Sequence, residues 1–316
     1  MLVKYSVAGL TLASEVPLPE LASAAPDCHA DWTFQLGSAR ARPPRGRWFH
    51  RWTAPHGRPW LSFGRDDGAY VLRFAHTATF RVSHATGTIV CEGAPRVPAR
   101  TVRHLLLNQV LPLALTPSKC VLHAGAVVHC GGAIGFAGQT GAGKSTLSVA
   151  LSRAGARMLC DDALVLEQRA ESFVAVPTCR AARLWPDSVD ALFNTGAESF
   201  PAVSHYNHKR IVHLLDGSYE DGGVPLRLLC VIAPRQELKR ARGVDLRQLS
   251  PRDALMRLTP FVFHLDVRSA GHLRDSFERL ATIVERVAVV ELVYPWRLRA
   301  VSSTADQVLR ALAGVG

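Results

Sequence analysis

The residues Gly138-Gln139-Thr140-Gly141-Ala142-Gly143-Lys144-Ser145-Thr146 fit the pattern G-x-x-x-x-G-K-[ST]. Each residue type there answers a chemical need. Glycines let successive backbone N–H groups turn inward around phosphate oxygens with no Cβ in the way. A helix opening at the loop adds its partial positive charge. Lys144 supplies a compact cation for β and γ phosphates, and Ser145 offers a hydroxyl to magnesium. The expected ligands are therefore ATP and Mg2+. Asp161-Asp162 follow Lys144 by only 17 and 18 residues. Magnesium takes one or two carboxylates together with phosphate oxygens and water, and phosphoryl transfer to a hydroxyl needs a group to receive its proton. Adjacent carboxylates at a strand end point in different directions, so one can face metal and the other an acceptor.

Those side chains need a scaffold. An apolar run, Ala133–Ala137, precedes the loop as a strand, and Ser145–Ala154 follows as a helix that stops at Gly155. Arg157–Cys160 and Ala163–Glu167 read as strands on either side of the aspartates. Upstream, Val121–Val128 is one largely apolar run. Downstream, the pattern predicts strands at Leu228–Ala233 and Val289–Val293, with helices from Ser250, over Leu273–Val287 and over Thr304–Ala313. Residues 98–115 carry apolar side chains at helical spacing, and Pro117 ends that helix. The first hundred residues are β-rich: Trp32–Leu36, Trp60–Phe63, Tyr70–Phe74 and Thr79–Ser83 lie between turn signals at Pro43-Pro44, His56-Gly57, Asp67-Gly68 and Thr86-Gly87. The expected fold is α/β (α+β), a P-loop domain at 119–316 with a mixed sheet and flanking helices. A linking helix at 99–118 and a smaller β-rich domain at 1–98 precede it.

Composition narrows the classes. With 48% apolar and 20% charged residues over 316 positions, the chain is globular. The net charge of +11 is dispersed, and only five of 37 basic residues are lysines. Such arginine bias reflects coding composition, so neither nucleic acid nor membrane is an expected partner. No apolar run reaches membrane-span length, and the N-terminus lacks a secretory pattern, so a cytoplasmic protein is expected. Seven scattered cysteines without a Cys-x-x-Cys pair argue against zinc and disulfide frameworks. A homo-oligomer is compatible with all of this.

The loop and the close aspartate pair, together with Leu122-His123-Ala124-Gly125-Ala126 upstream, resemble the HPr kinase/phosphorylase superfamily, which shares its core with phosphoenolpyruvate carboxykinase. The resemblance covers about residues 119–316. It implies Asp161 as catalytic base, Asp162 as the carboxylate near magnesium and His123 as partner of the base. The chain departs from the family's Glu-x-Arg-Gly signature, showing instead Pro177-Thr178-Cys179-Arg180-Ala181-Ala182-Arg183-Leu184-Trp185-Pro186. HPr as substrate and the reverse phosphorolysis are therefore not carried over. It looks closer to HPr-kinase-like proteins found beside peptide-modification genes, including those that phosphorylate a lasso-peptide precursor on its C-terminal serine. The implied partner is a peptide or protein bearing a serine hydroxyl.

Further candidates surround this set. Lys209 and Arg210 could reach phosphate from another side as charge clamps, or form a solvated basic turn. Arg183–Pro186 could position substrate, with Trp185 expected to be a packed aromatic. His104, His213 and His264 show no ligand spacing and are read as ordinary. The arginine-rich segment Arg45–Trp60 is read as a hairpin with solvated arginines. The leading function is an ATP-dependent serine kinase; the alternatives are a kinase for a small-molecule hydroxyl and a nucleotide-sensing module that transfers nothing.

Overall fold

The computed structural model describes residues 2–37, 48–53, 57–93, 97–179, 181–213 and 222–314. Pro43-Pro44, His56, Arg180 and parts of the Arg45–Trp60 segment lie outside the described residues.

Alternating apolar residues build the N-terminal sheet. Among the described residues its spatial order is Ala22–Ser23, Val3–Val7, Leu10–Ser14, Trp32–Leu36, Thr88–Gly93, Ala78–Ser83, Ala69–Phe74, Pro59–Asp66 and His50–Thr53. Phe34, Leu61, Phe63, Leu72, Phe80 and Ile89 fill its inner face. The expected hairpin closes at Asp67-Gly68, where both residues have positive φ (46° and 77°) and Asp66 faces Ala69. This is the two-residue turn whose twist suits a hairpin.

The helical segment 99–115 is continuous but not regular. Between Ala99–Leu105 and Leu111–Leu115 lies a π turn, Leu106–Val110, in which the Leu111 N–H donates to the Leu106 carbonyl. Pro112 has no N–H for the carbonyl four residues back, and widening the turn accommodates that loss. The segment's apolar face belongs to the same core as the N-terminal sheet, joined by Val121, Ala163, Val165 and Phe263 of the later part of the chain. Polar ties cross the same seam. Ala8 N–H donates to the Pro177 carbonyl at 2.8 Å, and Arg65 pairs with buried Asp266 at 2.6 Å.

A mixed sheet forms the rest, in the order Cys120–Leu122, Leu164–Arg169, Ser172–Val176, Val224–Ile232, Gly132–Ala137, Ala124–His129 and Arg157–Cys160. Val224–Ile232 runs parallel to Gly132–Ala137 and to Ala288–Val293, and Asp245–Gln248 is antiparallel to the latter. The apolar run expected over Val121–Val128 is two strands, not one. His123 interrupts it, its N–H taken by the Phe261 carbonyl at 2.6 Å. On one side of the break Leu122 pairs with Leu164; on the other Ala126 pairs with Cys160. The chain therefore crosses between the two halves of the sheet twice, at His123 and at Asp161-Asp162. Both crossings bring polar side chains to one gap. Helix Lys144–Arg153 packs closely on this region: a Cβ at Gly125 would lie 2.8 Å from Ser148 Oγ. Among the described residues no helix is long and apolar enough to cross a membrane.

Candidate functional site

The glycine loop leaves the end of strand Gly132–Ala137 and opens helix Lys144–Arg153. Gly141 and Gly143 have φ of 81° and 91°, a region that L side chains enter at a cost. At Gly143 space is closed as well, since a Cβ would stand 2.1 Å from ring atoms of Trp296. Lys144 is buried, and its ammonium donates to the Gly138 carbonyl at 2.8 Å and to that of Gln139 at 3.4 Å. Burial pulls its pKa down. Thr146 is turned away from the loop: its hydroxyl donates to Ser188 Oγ at 3.1 Å. A cleft of about 710 Å³ opens beside Gln139, Thr140 and Gly141, with Arg257 and Phe261 on another wall.

The two aspartates stand within the electrostatic reach of Lys144. Asp161 is buried; its Oδ2 accepts the backbone N–H of Arg183 at 2.9 Å and the carboxyl is hydrogen-bonded to Ser145. Its Oδ1 is buried with no protein partner. Burial, then the charge of Asp162, push its pKa up to about 6. Asp162 takes left-handed backbone, φ 65°, which swings its side chain away from that of its neighbour. It accepts from Asn108 Nδ2 at 3.3 Å. Burial alone would raise its pKa, but Lys209, His123, Arg183 and Lys144 together hold it below the usual carboxylate value.

His123 was expected beside Asp161. Its ring instead hydrogen-bonds the Asp162 backbone and sits in that residue's field, while Ser145 meets Asp161. The pairing implied by the resemblance is thus crossed, and the left-handed turn at Asp162 is the reason. Burial and nearby Lys144 lower the His123 pKa.

Lys209 and Arg210 part company. The Lys209 ammonium lies 5.6 Å from the ring centroid of Trp185 and acts on both aspartates. Arg210 points elsewhere: it sits in strand Arg210–His213 opposite Leu184 and donates to the Phe200 carbonyl at 3.3 Å. Trp185, expected to be packed, is 49% exposed beside the Lys209 ammonium.

Arg183, read in the sequence as able to position substrate, lies in the cluster, and His104 and Asn108, not legible as functional in the sequence, join it. Arg183 is 2% exposed, its guanidinium donating to the Ala181 carbonyl and the Cys179 sulfur. His104 and Asn108 come from the helical segment 99–115. Burial drives the His104 pKa down to about 3. One signal existed: Thr101, His104 and Asn108 fall at helical spacing along the segment.

The residues fit a magnesium nucleotide. A buried carboxylate oxygen without a partner, a hydroxyl on the same carboxylate and a glycine cradle are what such a ligand requires. Among the described residues no three His, Cys, Asp or Glu gather as a metal cage, so a dication here would rely on phosphate oxygens.

No family model matches the chain, and no curated protein matches it. Among solved structures, the chain aligns with the Hpr(Ser) kinase/phosphatase from Coxiella burnetii at 12% identity, over 62% of this chain and 99% of that one, with a TM-score of 0.32. So loose a superposition carries no weight for activity.

Proposed function

We propose that this protein is an ATP-dependent kinase that transfers the γ-phosphoryl group to a serine hydroxyl of a peptide or protein. The observation that carries the reading is the convergence of Lys144, Ser145 and both aspartates on one gap in the sheet. A nucleotide sensor needs the loop, but has no use for a second ionised carboxylate beside it.

The loop N–H groups and Lys144 hold the phosphate chain. Ser145 and Asp161 would hold magnesium, which neutralises phosphate charge when bound. Asp162, less enclosed than Asp161 and flanked by His123 and Asn108, takes the acceptor proton. This reverses the assignment that the resemblance implied. As the acceptor oxygen bonds to the γ phosphorus, the bond to the ADP oxygen breaks and the hydroxyl proton passes to the Asp162 carboxylate. Lys209 offsets negative charge at the same place. Incubating the protein with γ-labelled ATP and a serine-containing peptide pool, then sequencing the labelled species, tests the reading. Labelled phosphoserine that disappears with Lys144→Ala is the expected result. Tight ATP binding with no labelled product over many hours would leave only a sensor.

A further inference from the structure

A lysine has a flexible four-carbon stem and three N–H donors, so one placed near buried carboxylates ordinarily swings onto them and forms a salt bridge. Lys209 does not. Its field reaches Asp161 and Asp162, yet among the described residues no hydrogen bond or ion pair takes up its ammonium. What it meets instead is Trp185. The ammonium lies over the indole at 5.6 Å from the ring centroid, within the range over which a cation is drawn to an aromatic face.

The backbone sets this pair in place. Strands Ala181–Leu184 and Arg210–His213 form a two-stranded ladder that ends with Leu184 opposite Arg210. Trp185 and Lys209 are the next residue on each strand, just past the end of the ladder. The Lys209 N–H donates to Asn207 Oδ1 at 3.1 Å, and its carbonyl accepts the Val203 N–H at 3.0 Å. The Trp185 carbonyl accepts the N–H groups of Ser188 and Val189, each at 3.0 Å, in the first turn of helix Pro186–Phe193. That turn is tied to the helix after the phosphate loop by Thr146 Oγ1 donating to Ser188 Oγ at 3.1 Å. The ladder is tied to the aspartates by the Arg183 N–H on Asp161 Oδ2 at 2.9 Å. The indole is thus anchored to both the loop and the carboxylates. A large ring left 49% exposed gains little from burial; its hold on Lys209 is what it gives the site.

We propose that Trp185 is a positioning residue for phosphoryl transfer, its ring holding the Lys209 ammonium short of the aspartates so that the cation is kept for the transferred group. This rests on the kinase reading above. A salt bridge to Asp162 would occupy the ammonium donors and cover the carboxylate that takes the acceptor proton. Held on the ring, Lys209 keeps its donors for phosphate oxygens and needs no rearrangement as the negative charge passes.

The test uses the full chain with magnesium, γ-labelled ATP at varied concentration and the serine-containing peptide pool held constant; labelled phosphoserine gives kcat and the KM for ATP. Trp185→Leu keeps apolar bulk and removes the ring. It should lower kcat about fivefold, the weight of one cation–π contact at a half-exposed site, and leave the KM for ATP nearly unchanged. Trp185→Phe, which restores a ring, should recover most of that loss. Lys209→Gln should lower kcat on the order of 10²-fold, and in that background Trp185→Leu should change the rate no further. A crystal structure of Trp185→Leu gives a readout independent of turnover: the Lys209 ammonium should have closed onto Asp161 or Asp162. Three results would each overturn the positioning role while leaving the kinase reading intact: equal kcat in Trp185→Leu and wild type, the same loss from Trp185→Leu with and without Lys209, or an ammonium that stays in place without the ring. A wild type that forms no phosphoserine overturns both.

Discussion

His104 offers a perturbation whose size follows from the structure. The ring is mostly buried between the helical segment 99–115 and Tyr206, and burial, aided by Arg183, lowers its pKa from 6.5 to about 3. The unfolded chain therefore binds a proton below pH 6.5 that the folded chain refuses until about pH 3. Folding stability must fall as pH drops through that window and be unaffected by this group above it. A depression of roughly 3.5 units at about 1.4 kcal/mol per unit sets an upper bound near 5 kcal/mol lost by pH 3. With an unfolding entropy of about 2 cal/mol/K per residue over 316 residues, that corresponds to roughly 8 °C in Tm. His104→Asn removes the titration while keeping a polar side chain. Its effect is read as a slope, so any constant loss from the smaller side chain cancels. Thermal melts of both proteins in metal-free buffer at half-unit steps from pH 7.5 to 4 are the assay. The two curves should run parallel above pH 6.5 and converge, or cross, as the wild type loses stability faster below it. Parallel curves throughout would refute the argument, because they would mean that His104 gains its proton equally well folded and unfolded.

Asp162→Asn should lower phosphoryl transfer by about 10²–10⁴, the usual worth of a proton acceptor, with ATP Kd nearly unchanged; rapid-quench measurement with labelled ATP distinguishes the two. Asp161→Asn should instead raise the magnesium concentration giving half-maximal rate at least tenfold, which a magnesium titration of initial rates reads directly. Gly143→Ala combines about 1–2 kcal/mol of left-handed strain with a collision against Trp296. It should lower Tm and weaken ATP binding at least tenfold, and adding Trp296→Ala should restore part of the loss. An equal loss in the single and double variants would show that the ring does not press on the loop.

Much of the site's near neighbourhood is readable because it is local in sequence. The loop's residue types, the strand before it and the helix after it all follow from glycine freedom and apolar spacing, and Gly155 marks the helix end as the pattern predicts. The helix cap at Ser250, with its hydroxyl accepting the Asp253 N–H, is local in the same sense. What escapes is the handedness of one residue. Nothing in Cys160-Asp161-Asp162-Ala163 announces that Asp162 is left-handed, yet that φ decides which carboxylate meets Ser145 and which meets His123. The break at His123 is equally hidden, since an apolar run of that length reads as one strand until a distant carbonyl, that of Phe261, claims the histidine N–H.

The helical segment 99–115 shows why linkers are hard to read. Its apolar spacing says only that one face is buried. The other face carries Thr101, His104 and Asn108, three polar residues that a solvent-exposed linker would carry without consequence. They become informative only once Pro112 is seen to force a wider turn, because that turn brings Asn108 to Asp162, 54 positions later in the chain. A regular helix would place residue 108 about 100° per residue along the same spiral, whereas the inserted residue shifts that register. On this argument the proline is part of the site without touching it. Pro112→Ala, which returns an N–H to the Asn108 carbonyl, should favour a regular helix and draw the Asn108 side chain off Asp162. A crystal structure of the variant that kept both the π turn and the Asn108–Asp162 hydrogen bond would separate the proline from the positioning of the carboxylate.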